Sequence, residues 1–244
     1  MSVAAVPLAA DPVIPNFGRG SSCVVQNRLF CWNWVQQHWG DTLSKALIQH
    51  IELTAIAVGI GFVIAFALAL AAFRWSALEP PIGIVAGFLY TIPSLALFQL
   101  LVGVRWLGLS QTTAEVALVS YTILILFSNT LAGLRGVPAD VRDAAQGMGL
   151  TRRQILWRIE LPLALPSIVA GLRIATVTIV SLATVAAFIV PKGLGRPIFD
   201  ALGQTFKTEL IAAGALAVLL ALAADGLLVL MQRVLTPWTR AARA

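Results

Sequence analysis

The chain has 244 residues, of which 59% are hydrophobic and 11% charged, with a mean hydropathy of +0.87. A soluble domain carries about 25% charged residues, so the composition excludes an ordinary soluble enzyme. The formal charge of +6 does not indicate nucleic acid, because the basic residues sit in short loops between apolar runs, where they set topology and meet anionic lipid.

The N-terminus does not read as a secretory signal, since it lacks an early Lys or Arg and Pro7, Pro12 and Pro15 break its apolar stretch. Cys23 and Cys31 are the two cysteines of the chain. In an oxidising outer compartment they are candidates for a disulfide, worth about 2–3 kcal/mol by loop entropy; two free thiols is the alternative. Val35, Trp39, Leu43 and Leu47 then recur every four residues. That stripe predicts a helix lying along the outer membrane surface ahead of the first span.

A membrane-crossing helix needs about 20 apolar residues. Five stretches qualify: residues 53–73, 80–104, 116–134, 162–191 (interrupted by Arg173) and 211–232 (interrupted by Asp225). The predicted fold class is an all-α polytopic membrane protein with five transmembrane helices. Arg74, Arg135, Arg142, Arg152, Arg153, Arg158, Arg233, Arg240 and Arg243 fall on one side. Seven more, Arg19, Arg28, Lys45, Arg105, Lys192, Arg196 and Lys207, fall on the other, and the five that crowd one loop decide for the first side as the cytoplasm, with the N-terminus outside and the C-terminus cytoplasmic. The domains are an extracytoplasmic segment with its interfacial helix (1–47), a transmembrane domain (48–236) and a cytoplasmic tail (237–244). All seven tryptophans, Trp32, Trp34, Trp39, Trp75, Trp106, Trp157 and Trp238, fall at or beyond span ends, at headgroup level.

Within the spans, Pro93 removes a backbone donor and kinks the second helix, with Thr91 and Ser94 able to satisfy freed groups. The kink serves either packing or a pathway. Tyr90, Ser94, Tyr121 and Asn129 are the candidate pathway residues, with helix–helix hydrogen bonding as the competing role. Arg173 and Asp225 lie at similar depth on successive spans, which predicts an intramembrane ion pair, either structural or gating. No lysine follows a glycine, so a phosphate-binding loop is impossible. His38 and His50 are the only histidines, and no metal cluster is expected. No nucleophile with a positioned base can be assembled. The chain is expected not to be an enzyme and to carry no cofactor.

The cytoplasmic loop at 135–162 holds Pro138, Asp140, Gly147, Gly149 and Thr151 in helix-start and helix-stop positions. They predict a short helix, a sharp turn and a second helix. Within it, Asp143-Ala144-Ala145, Gly149 after three intervening residues, and Ile159-Glu160-Leu161-Pro162 after nine more resemble the coupling motif of ABC-importer permeases, E-A-A, G and I-x-L-P. Asp143 stands where the motif has Glu, with the charge kept and the reach shortened. The resemblance covers most of the chain and points to a MetI-like five-span fold. It is greatest to permeases for glycine betaine, carnitine and choline, through Tyr90-Thr91-Ile92-Pro93-Ser94-Leu95-Ala96-Leu97, Ser128-Asn129-Thr130-Leu131-Ala132-Gly133-Leu134, Leu161-Pro162-Leu163-Ala164-Leu165-Pro166 and Lys192-Gly193-Leu194-Gly195.

That resemblance implies partners: cytoplasmic ABC ATPase subunits that bind ATP and Mg, a second permease chain (identical or paralogous), an extracytoplasmic solute-binding protein and the lipid bilayer. It implies that Asp143, Ala144, Ala145, Gly149, Leu150, Thr151, Ile159, Leu161 and Pro162 couple the ATPase to the membrane, with Gly149 allowing close backbone packing. The implied location is a bacterial-type cytoplasmic (inner) membrane, and the implied function is osmoprotectant import, with selectivity held by the binding protein. The alternatives are a methionine or other amino-acid importer and, in a different class, a structural or sensory membrane protein.

Overall fold

A computed structural model describes residues 22–238; Arg19, Arg240 and Arg243, and the ends of the two terminal segments, lie outside them. The described residues form eleven α-helices: α1 (Ser22–Val25), α2 (Trp32–His38), α3 (Ser44–Arg74), α4 (Glu79–Thr91), α5 (Ser94–Val102), α6 (Gln111–Arg135), α7 (Ala139–Gly147), α8 (Arg152–Ile155), α9 (Leu161–Ala186), α10 (Gly195–Gln204) and α11 (Lys207–Leu235). The helix α6 is central, packed between α3 and α9, and α11 leans on α9.

The packing is that of a membrane bundle. Along α3 the buried positions include Ala57, Gly61, Ala65, Ala69 and Ala72, while Ile48, Ile60 and Val63 point outward. Small residues let backbones approach, and large aliphatic ones face lipid as comfortably as they would a core.

Three expectations are corrected. Residues 80–104 do not form one kinked helix: the helical segments Ser76–Thr91 and Ser94–Val102 meet at 97°. Pro93 has no N–H to donate and holds Ile92 extended, at ψ 127°. The Tyr121 hydroxyl of α6 then donates to the freed Ile92 carbonyl. The described residues therefore hold four unbroken helices long enough to cross a membrane and one bent pair, which is a broken span or a re-entrant loop.

The expected surface helix is continuous with the first span. Residues Trp32–Arg74 run on as one 43-residue helical stretch, with a π-turn at Trp39–Leu43. The inserted residue splits the four-residue stripe, so that Val35 and Leu43 are buried and Trp39 is exposed. Trp34 departs from the headgroup assignment, since it stacks on His38 and meets Phe206 edge-on within the protein.

The third correction concerns the fourth stretch, which stops at Ala186 and is followed by a turn and α10, a helix that the sequence pattern did not call for. Lys192 reaches Gln111, the Gly193 N–H donates to Gln49, and the Leu194 N–H donates to His50 Nδ1 at 3.2 Å. His50 Nε2 therefore carries the proton and donates to the Val180 carbonyl at 2.9 Å. At the same end Cys23 and Cys31 are joined in a disulfide. The loop that it closes grips the α10–α11 corner through Asn27, which accepts from the Lys207 N–H and donates to the Thr205 carbonyl.

Candidate coupling site

The loop between α6 and α9 owes its shape to two caps placed back to back. Pro138 caps α7 with φ −58° and Asp140 lies in its first turn, where a carboxylate suits the helix dipole. At the far end Gly149 takes φ +82°. The Gly149 N–H then reaches the Gln146 carbonyl at 2.9 Å and the Leu150 N–H reaches that of Ala145 at 3.2 Å. These two bonds are the Schellman pair that ends a helix. One residue later Thr151 opens α8 with a capping box: its hydroxyl accepts from the Gln154 N–H, and Gln154 Oε1 accepts from the Thr151 N–H at 2.8 Å. The chain reverses within a few residues because the Gly149, Leu150, Thr151 and Gln154 N–H groups all find partners within the turn.

Open space surrounds the position that a Gly149 side chain would take. Gly149 is thus explained by its left-handed φ, and the expected close packing around it is not present in this chain.

Of the nine α7 residues only Ala145 is buried; Asp143 and Ala144 are exposed, as are Gly149, Thr151 and Met148 at the tip. Leu150, Ile159 and Pro162 are half-buried, and Leu161 is buried in the bundle. The motif therefore divides into an outward hook and an inward anchor. Residues that the sequence reading missed tie the two together. Arg142 Nε lies 3.5 Å from Glu160 Oε1, an ion pair longer than a hydrogen bond, and Arg142 also donates to the Val137 carbonyl. Glu160 is 6% exposed. Its place as the free position of I-x-L-P gave no signal, whereas Gln154, three residues after Thr151, was a readable capping-box signal. Arg142, Asp143, Gln146, Arg152 and Glu160 line a polar cleft of about 420 Å³ against the end of α3.

Removing Arg142 leaves the Glu160 carboxylate without its cation. Arg142→Met is expected to cost about 1–3 kcal/mol, or about 2–12 °C in the melting temperature of the purified complex. Arg142→Lys should recover part of that loss. A melting curve unchanged by Arg142→Met would mean that water already carries Glu160.

The other candidate residues do not converge with this loop. Tyr90 and Tyr121 meet edge-on with centroids 5.9 Å apart, beside the α4–α5 break where half-buried Ser94 begins α5. Asn129 lies further along α6, donates to the Ile125 carbonyl and packs against Gly171 of α9. Arg173 and Asp225 meet in a two-pronged contact, Nε to Oδ1 at 2.7 Å and Nη2 to Oδ2 at 3.0 Å.

An all-helical bundle with several helices long and apolar enough to cross a membrane, and an exposed helical hook between two of them, defines a class, a polytopic membrane protein. The chain belongs to the family of binding-protein-dependent transport system inner membrane components, whose model matches residues 57–241. It is 35% identical to the choline transport system permease protein OpuBB of Bacillus subtilis, over 84% of this chain and 93% of that one. It is also 35% identical to the osmoprotectant import permease protein OsmW of Salmonella typhimurium, over 80% and 92%. Among solved structures, a chain of the inward-facing MetNI methionine ABC transporter superposes with a TM-score of 0.73 at 19% identity, covering 82% of this chain and 98% of that one. At that identity the likeness concerns the fold alone.

Proposed function

We propose that this chain is the permease subunit of an ATP-driven importer of quaternary-amine osmoprotectants such as glycine betaine, choline and carnitine. The observation that carries the solute class is the one-third identity to choline and osmoprotectant permeases along nearly their whole length. Two permease chains form the passage, with N-termini outside and C-termini in the cytoplasm. A solute-binding protein delivers from outside, and cytoplasmic ATPases bind ATP and Mg.

The α7–α8 hook supplies the handle. Its exposed surface at Asp143, Ala144 and Met148 docks into the ATPase, and the Arg142–Glu160 pair passes displacement into α9. Closure of the ATPase pair draws the two hooks together and opens the passage outward; hydrolysis returns it inward. This is a two-state membrane element biased by nucleotide.

The test is ATP-dependent uptake by proteoliposomes containing this chain, its ATPase and its binding protein. Labelled glycine betaine, choline and carnitine are expected to accumulate and to compete with one another. Accumulation of methionine alone would keep the transport mechanism and overturn the solute assignment.

A further inference from the structure

Arg173 lies midway along α9, about 18 Å from its start at roughly 1.5 Å per residue, and Asp225 about 15 Å from the end of α11. Both are deep in helices long enough to cross the membrane. Yet their side chains are not sealed in the bundle: they remain 34% and 33% exposed. They border a groove of about 530 Å³ between α9 and α11, whose other walls include Ala170, Val177, Thr178 and Leu222. Charges that are one-third exposed at this depth face a protein interior or a water-filled cavity in preference to lipid. The paired geometry also leaves hydrogen-bonding capacity: Nη1 of Arg173 is not used in the contact with Asp225, and each carboxylate oxygen has a further lone pair.

On the reading of the chain as an osmoprotectant permease, we infer that the α9–α11 groove is a wall of the solute passage and that Arg173 and Asp225 form a transient subsite for zwitterionic solutes within it. A solute carboxylate meets the outward edge of the Arg173 guanidinium, and a quaternary ammonium meets Asp225. Because the two protein charges already neutralise each other, the subsite attracts a zwitterion without holding it as an isolated charge would. Weak binding of that kind suits a passage that must release its solute. Ile174, Val177 and Leu222, exposed beside the pair, offer apolar contact to the methyl groups.

The chain has no free thiol, since both cysteines are in the disulfide, so single cysteines can be introduced cleanly. Thr178→Cys and Leu222→Cys, with Val63→Cys as an outward-facing control on α3, are treated with trimethylammonioethyl methanethiosulfonate. This membrane-impermeant reagent itself carries a quaternary ammonium. The experiment uses the full complex in proteoliposomes, with an ATPase lacking accessible thiols. Cysteines at 178 and 222 are expected to react at least tenfold faster than the one at 63, and glycine betaine is expected to slow them several-fold. Reaction at 178 and 222 no faster than at 63 overturns the inference. Protection by methionine and not by glycine betaine leaves the groove as a passage wall and overturns the osmoprotectant reading instead.

The charge pair is tested separately. The double variant Arg173→Met with Asp225→Leu leaves no buried charge unpaired, so the bundle can still fold. It is expected to assemble, to remain reactive at Thr178→Cys, and to lose at least tenfold in glycine betaine uptake. The swap Arg173→Asp with Asp225→Arg restores an ion pair but reverses its polarity along the groove, and is expected not to restore uptake. Full uptake in either variant would make the pair a structural tie only and overturn the subsite.

Discussion

Substitutions at Gly149 are expected to rank transport by backbone preference and not by side-chain size. Asn should retain at least half of wild-type uptake, Ala should lose several-fold and Val should lose the most. The reason lies in the φ of +82°. A left-handed conformation costs an ordinary L-residue about 1–2 kcal/mol, Asn less, and a β-branched residue more. Only with residue 149 in that conformation do its own N–H and that of Leu150 reach the Gln146 and Ala145 carbonyls. Without those bonds α7 has no fixed end, and the hook swings relative to Thr151 and α8. Within this chain a side chain at 149 meets open space, so steric exclusion does not set the order. If instead the ATPase surface pressed closely on residue 149, Ala would be the best tolerated and Asn would be worse. Uptake in proteoliposomes, normalised to ATPase bound per permease, separates the two orders. Ala equal to or better than Asn would end the backbone explanation and move the constraint to the partner surface.

The hook was legible because its determinants are local. A Pro at one end, and Gly149 and Thr151 at the other, are all read within one window. The family pattern from Asp143 to Pro162 adds to that local reading. The long helices were legible for a related reason: apolar length is a property of a run, and Arg74, Arg135 and Arg233 mark where three of them end. The α4–α5 break was only half legible. Pro93 signalled a disturbance, but a mild kink and a 97° turn share the same local sequence. What stabilises the sharp turn is the Tyr121 hydroxyl on the Ile92 carbonyl, 29 residues away. The turn ahead of α10 was hidden for the same reason. His50 contacts segments 130 and 144 residues away, and nothing near position 50 announces them. Depth arithmetic fared better with Arg173 and Asp225, because rise per residue is fixed in a helix and charges at one level on neighbouring helices seek each other.

The contact between α6 and α9 depends on glycine so closely that Gly171→Ala is expected to lower the melting temperature of the complex by about 2–12 °C. A Cβ at Gly171 would lie 2.5 Å from Asn129 Cβ and 3.0 Å from its Cγ, well inside contact distance. Neither is the flexible end of a long side chain, so a helix must move. Overpacking of that kind costs about 1–3 kcal/mol, and each kcal/mol corresponds to about 2–4 °C in a chain of this size. Gly133 of α6 makes the reciprocal approach, with Ser167 Cβ and the Ala164 carbonyl 2.8 and 3.0 Å from its would-be Cβ. By contrast Gly226 on α11 has nothing within 4 Å, and Gly226→Ala is expected to leave the melting temperature unchanged or slightly raised. A double-mutant cycle identifies the contact itself. Asn129→Gly removes the atom that the new methyl strikes, so it should recover most of the loss caused by Gly171→Ala, with a coupling of about 1 kcal/mol or more. Additive effects would mean that α6 and α9 do not touch at this level. The separation matters beyond stability, because α6 runs into the hook and α9 runs out of it. A variant that pushes these two helices apart, yet still assembles, is therefore expected to lose uptake more steeply than it loses melting temperature.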